Sequence, residues 1–198
     1  MNSEIIVVSG LPRSGTSLMM QMLDKGGVEV ITDNIRIADA DNPKGYYEYE
    51  MVKKIGKDSS WLPSTRGKAF KMVSQLLYDL PAAETYRIIF MDRDLEETLF
   101  SQEKMLQRLG RQPAPREDMK RNYAIHLDRL HKWLLQQPNV TMLPVNYNDL
   151  LKDPRKHSER VRKFLGGSLN IEEMVKAVDP SLYRNRSAGR EPATGAPA

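Results

Sequence analysis

The sequence predicts an α/β fold, a parallel β-sheet flanked by helices, on three observations. Short apolar runs alternate with helical patterns along the 198 residues, as strand–helix–strand units do. The first run, Ile5 to Ser9, is apolar up to its closing Ser9, as in a strand buried on both faces. A glycine-punctuated turn and a helix follow it directly. The length suits one domain, which we place at residues 1–186. The Gly-, Pro- and Ala-rich stretch 187–198 is expected to be a disordered tail.

Taken in order, Thr16 to Lys25 reads as a helix with Leu18, Met19, Met22 and Leu23 on one side and Gly26-Gly27 as its stop. Val28 to Ile31 is a candidate second strand. Thr32 to Ser64 is rich in polar and turn residues, with a short helical pattern at Tyr49 to Ile55. Ala69 to Val73 is the next candidate strand, and Ser74 to Leu80 a short helix that Pro81 ends. Arg87 to Met91 (RIIFM) is a clear strand. It feeds a helix from about Leu95 to Leu109, opened by Asp94 with Glu97 three residues on, a capping-box pattern. A longer helix spans about Pro115 to Gln137, where Met119, Tyr123, Leu127, Leu130 and Leu134 mark a core face. Val140 to Val145 is a further strand and Pro154 to Leu165 a further helix.

Composition narrows the function. The chain is 40% hydrophobic and 28% charged, with a net charge of +4 that favours an acidic partner. The basic residues are dispersed, so nucleic acid is not the expected partner. Cysteine is absent, which excludes disulfides, thiolate metal sites and a cysteine nucleophile. His126, His131 and His157 lack the spacing of a helical zinc pair, and no metal is expected. No apolar stretch approaches the roughly 18 residues that cross a bilayer, and no basic segment precedes the first apolar run as in a signal peptide. A cytoplasmic protein without membrane association is the expectation.

The stretch Gly10 to Ser17, GLPRSGTS, lies between a strand and a helix. It offers backbone N–H groups, a helix N-terminus, two hydroxyls and the Arg13 guanidinium to an anion. The glycines fit the Walker pattern, but Thr16 occupies the position of its lysine, which a phosphoryl-transfer site places on the β- and γ-phosphates. LPRSGTSLM resembles the 5′-phosphosulfate loop of the sulfotransferases that use 3′-phosphoadenosine 5′-phosphosulfate (PAPS). The resemblance implies a P-loop NTPase-like three-layer sandwich. It also implies that Arg13, Ser14, Gly15, Thr16 and Ser17 hold the 5′-phosphate and the sulfuryl group.

A second motif supports the first. MDRDLEETLFS, Met91 to Ser101, is similar to the family's 3′-phosphate segment, with Leu95 in place of a proline and Glu97 in place of an aspartate. Arg93 and Ser101 then meet one phosphate; the competing structural reading of Arg93 is an ion pair with Asp94 or Glu96. VNYNDLLKDP resembles the family's Tyr-Glu-Asp-Leu segment, which implies that Tyr147 lies near the adenine, with Asn148 where Glu is common. YRNRSAGR resembles the basic loop that closes over the 3′-phosphate, which makes Arg184, Arg186 and Arg190 candidates.

In sulfuryl transfer, cations and N–H donors near the bridging and sulfuryl oxygens supply the main catalytic effect. Arg13 suits that role. So does Lys71, which stands where cytosolic members of the family carry a lysine beside the donor. Those members place a histidine base two residues on, but here that residue is Val73. The acceptor still requires a proton acceptor. Related sulfotransferases with an Asn-Pro-x-Gly-Tyr-aromatic-Glu segment imply Glu48 as base, with Glu50 in reserve. Tyr46, Tyr47 and Trp61 are candidate acceptor-pocket residues, and His126 is expected to be structural. The implied activity is transfer from PAPS, leaving adenosine 3′,5′-bisphosphate (PAP), to a small-molecule, saccharide or other acceptor bearing a hydroxyl or amine. Two alternatives are an atypical P-loop kinase, which predicts magnesium-dependent ATP binding, and an inactive nucleotide-binding protein of the same fold.

Overall fold

The computed structural model describes residues 4–179 apart from residues 34, 40, 41 and 43. Its strands are β1 (Ile5–Gly10), β2 (Ala69–Lys71), β3 (Tyr86–Asp92) and β4 (Val140–Asn146). All pair in parallel, in the order β2-β1-β3-β4. The inner strand β1 is buried at all six residues, in keeping with its unbroken apolar run. Pro144 falls within β4, an edge strand, where proline's missing N–H is tolerated.

Among the described residues, six α-helices accompany the sheet: α1 (Thr16–Lys25), α2 (Leu95–Arg108), α3 (Arg116–Leu134), α4 (Tyr147–Lys152), α5 (Pro154–Leu165) and α6 (Ile171–Ala177). Strand side chains alternate between faces, so β1 feeds two cores. Ile6 and Val8 join Met19 and Leu23 of α1, Val161 of α5 and Met174 of α6. Ile5 and Val7 join Phe70, Phe90 and Leu77, with Leu130 and Leu134 of α3. The result is a layered α/β/α arrangement. Each fully buried aliphatic side chain contributes about 1.5–3 kcal/mol through apolar area removed from water.

Several boundaries depart from expectation. The candidate strand Val28–Ile31 is reduced to one parallel bridge, Val30 to Ala69. The N–H of Val28 is taken by the Leu23 carbonyl at the end of α1, and β2 offers only three residues for pairing. The stretches Tyr49–Ile55 and Ser74–Leu80 form single 3₁₀ segments, Glu50–Lys54 and Ser74–Asp79, rather than α-helices. Short α4 and α6 had no counterpart in the sequence reading: six or seven residues hold too few turns for a 3.6-residue period to stand out. Segment 187–198 lies outside the described residues.

Candidate active site

Each of the four parallel strands delivers a functional candidate at its C-terminal end, where open α/β sheets bind ligands. The loop after β1 carries Arg13, β2 ends in Lys71, Arg93 follows β3, and Tyr147 follows β4. These residues line a cavity of about 510 Å³ together with Glu48 and Ser101.

Two glycines shape the loop. Gly10 has φ 153°, and a Cβ there would lie 2.4 Å from the Met91 carbonyl oxygen. Gly15 has φ 99°, and a Cβ there would lie 2.3 Å from the Tyr147 ring. A left-handed backbone and the close aromatic face both call for glycine. Arg13 also has a positive φ, 74°, a conformation uncommon for a side-chain-bearing residue. Helix α1 begins at Thr16 with no side chain capping it, and Gly15, Thr16 and Ser17 at this N-terminus line the cavity, the kind of helix start that binds anions. Thr16 and Ser17 line the cavity. Ser14 does not: its hydroxyl is buried beside Gly10 without a hydrogen-bond partner, and its amide donates to the Leu11 carbonyl at 3.1 Å.

The second motif converges on the first. Arg13 Nε donates to Ser101 Oγ at 3.0 Å, and Arg93 Nη1 donates to the Arg13 carbonyl at 3.1 Å. Arg93 is buried and does form an ion pair, but with Glu97 (Nε to Oε2, 3.1 Å) rather than with Asp94 or Glu96. Asn148 Nδ2 donates to both oxygens of the same carboxylate, at 3.2 and 3.1 Å. The Tyr147 ring centroid lies 4.7 Å from the Arg93 guanidinium carbon. The first two residues of α4 thus brace Arg93, Tyr147 on its face and Asn148 through Glu97. Asp94 caps α2, its Oδ1 accepting from the Glu97 N–H at 3.0 Å. The Glu97 side chain turns toward Arg93 and Asn148, so the capping box is observed in its Asp94 half.

Lys71 sits between the loop and the tyrosine segment. Its Nζ donates to Ser17 Oγ at 3.2 Å and to the Tyr46 carbonyl. Burial pushes its pKa down to about 8, against the opposing pull of Glu48. Glu48 Oε1 lies 4.0 Å from Lys71 Nζ and accepts from Arg36 Nη1 at 2.9 Å. Its Oε2 lies 3.8 Å from Lys53 Nζ. Glu50 pairs with Lys53 and is not among the cavity-lining residues.

Of the aromatic candidates, Tyr46 lines the cavity, under the Arg36 guanidinium at 3.4 Å. Its hydroxyl donates to Asp39, and burial with that contact pushes its pKa up to about 12. Tyr47 and Trp61 do not line it. The Tyr47 hydroxyl donates to Asp24 at 3.2 Å, and Trp61 packs edge-on to Tyr49 and Phe70 in the core. His126 lies outside the cavity, bonded to Ser74 Oγ at 2.9 Å. Arg184, Arg186 and Arg190 lie outside the described residues.

Arg36, Lys53, Lys104, Met105 and Arg108 line the cavity although sequence reasoning did not single them out. Ser101, Lys104, Met105 and Arg108 fall at the i, i+3, i+4, i+7 spacing of one helical face, a signal that could have found three of them. Arg36 and Lys53 lie in a stretch without periodicity.

The family model described as "Sulfotransferase domain" matches residues 3–190. The chain belongs to this sulfotransferase-domain family. Among solved structures it is similar to the sulfotransferase domain from the curacin biosynthetic pathway, at 14% identity and TM-score 0.54, covering 89% of this chain and 78% of that one. It is also similar to the mouse sulfotransferase SULT7A1 complexed with PAP, at 17% identity and TM-score 0.53, covering 89% of this chain and 62% of the mouse protein. At these identities the likeness shows the fold. A comparison with curated proteins found no match.

Proposed function

We propose that this sulfotransferase-domain protein, as a single domain over residues 1–186, transfers a sulfuryl group from PAPS to an acceptor hydroxyl or amine. The observation that carries the reading is the junction of the two motifs. Arg93 donates to the Arg13 carbonyl and Arg13 donates to Ser101, so two anion cradles open on one cavity. The donor set suits a nucleotide phosphorylated at both ends. Loop amides, Thr16 and Ser17 take the 5′ side, while Arg93 and Ser101 take the 3′-phosphate. Tyr147 lies between them, against both Gly15 and Arg93. Arg184 and Arg186, which lie outside the described residues, complete the proposed set of 3′-phosphate ligands.

PAPS supplies the electrophilic sulfur and a phosphate leaving group. Arg13 and Lys71 hold positive charge where negative charge grows on the leaving oxygen, which lowers the barrier more than it stabilises the ground state. Glu48 takes the proton of the acceptor. The acceptor oxygen bonds to sulfur as the sulfur–phosphate oxygen bond breaks, and the electron pair stays with the phosphate. No metal has a part in this scheme.

Co-crystallisation with PAP tests the reading. The expected result is the 5′-phosphate on the amides of Gly15 to Ser17 and the 3′-phosphate between Arg93 and Ser101. Nucleotide bound elsewhere, or magnesium ATP held in preference to PAP, contradicts it.

A further inference from the structure

The cavity wall carries cations beyond those assigned to the donor. Among the described residues its walls present eight lysine and arginine side chains and the carboxylates Glu48 and Asp179, while Glu97 and Glu50 pair with Arg93 and Lys53. PAPS brings about four negative charges at neutral pH, which Arg13, Lys71 and Arg93 face. Two other cations gather around Glu48. Arg36 lies 2.9 Å from Oε1 and Lys53 lies 3.8 Å from Oε2.

Both cations are easily exchanged. Their side chains are 41% and 59% exposed, and Lys53 divides itself between Glu48 and Glu50. Exposed pairs of this kind contribute about 1 kcal/mol or less. Arg36 rests on the Tyr46 ring, 3.4 Å from its centroid, so the guanidinium keeps a support when its carboxylate partner changes. The cavity wall also includes Tyr49, Val52, Val73 and Leu76, an apolar surface for the body of a ligand.

We propose that the acceptor is an apolar-bodied hydroxy compound that carries an oxyanion, and that Arg36 and Lys53 recognise that oxyanion. The inference rests on the sulfotransferase reading above. Without an acceptor, Arg36 and Lys53 occupy the oxygens of Glu48. An oxyanion on the acceptor offers them a second partner and turns lone pairs of Glu48 toward the acceptor hydroxyl, which then donates its proton there. A neutral acceptor leaves both cations on the base. Acceptor charge and availability of the base are thereby coupled through two side chains.

The test uses matched phenols that differ only in charge: para-hydroxybenzoate against para-hydroxybenzamide, with the corresponding phosphate and sulfate esters as further arms. Transfer from radiolabelled PAPS gives kcat/KM, and calorimetry with PAP is run on the same preparations. The carboxylate is expected to exceed the carboxamide by about tenfold or more, the value of a charge-assisted contact. The Arg36→Gln, Lys53→Gln double variant should bring the pair within about threefold of each other while PAP affinity stays within about twofold. The ester arms identify which oxyanion is preferred. Equal use of the pair, transfer to neither, or an undiminished preference in the double variant overturns the inference. Failure of the wild type to bind PAP overturns the donor reading itself, whereas PAP binding with no charge preference overturns the acceptor inference alone.

Discussion

Lys71 and Glu97 are the two residues whose roles can be put most sharply to solution measurement. Burial penalises the charge of Lys71 and pushes its pKa down to about 8. An anion in the cavity binds the protonated form, so PAP affinity should fall as pH rises through about 8, by up to about tenfold per pH unit. Calorimetry across that range checks this, and the fall should vanish in Lys71→Met; a pH-independent wild type contradicts it. Glu97 is a buried carboxylate shared by Arg93 and Asn148. Glu97→Gln leaves the Arg93 charge without its counter-ion and should cost about 2–4 kcal/mol of stability in urea unfolding. It should also weaken PAP binding, because Arg93 loses its brace. The sequence made Arg93, Lys71 and Glu48 visible because each lies in a local motif. The bond from Asn148 to Glu97 was not legible, since nothing in either segment announces contact with a residue 51 positions away.

Helix α1 depends on Gly15 in two ways, its left-handed backbone and the Tyr147 ring packed over it. Gly15→Ala should therefore destabilise the protein by about 1–3 kcal/mol and displace the ring, seen as a lower thermal midpoint together with weaker PAP binding. Asp94→Ala removes the cap of α2, at a cost of about 1 kcal/mol. Urea unfolding measures it, and an unchanged midpoint contradicts the capping role. Such local signals explain which elements could be read in advance. The Asp94–Glu97 spacing, the five-residue core stripe of α3 and the unbroken apolar run of β1 each encode structure within a few neighbours. The segment Val28–Ile31 has strand-forming residues, but its outcome depends on how few residues β2 offers for pairing, and that is a tertiary fact. Similarly, Trp61 reads equally well as pocket or core until Phe70 and Tyr49 are seen beside it.

At the scale of the molecule, alternation of strand and helix patterns was enough to predict a parallel sheet with helices on both faces. Strand order was not. The order β2-β1-β3-β4 places β1 and β3 side by side, with Gly10 in register with Met91. That adjacency brings the loop after β1 against Arg93, and it unites two motifs that are some eighty residues apart in the chain. This union gives one cavity two cradles, the arrangement that the proposed doubly phosphorylated adenosine requires. The most direct test is calorimetric titration of the wild-type protein with PAP and with adenosine 5′-monophosphate, which lacks only the 3′-phosphate. The account predicts that PAP binds at least about tenfold more tightly, the worth of a charge-assisted phosphate contact, and that Arg93→Ala erases the difference. Equal affinity for the two nucleotides would contradict it.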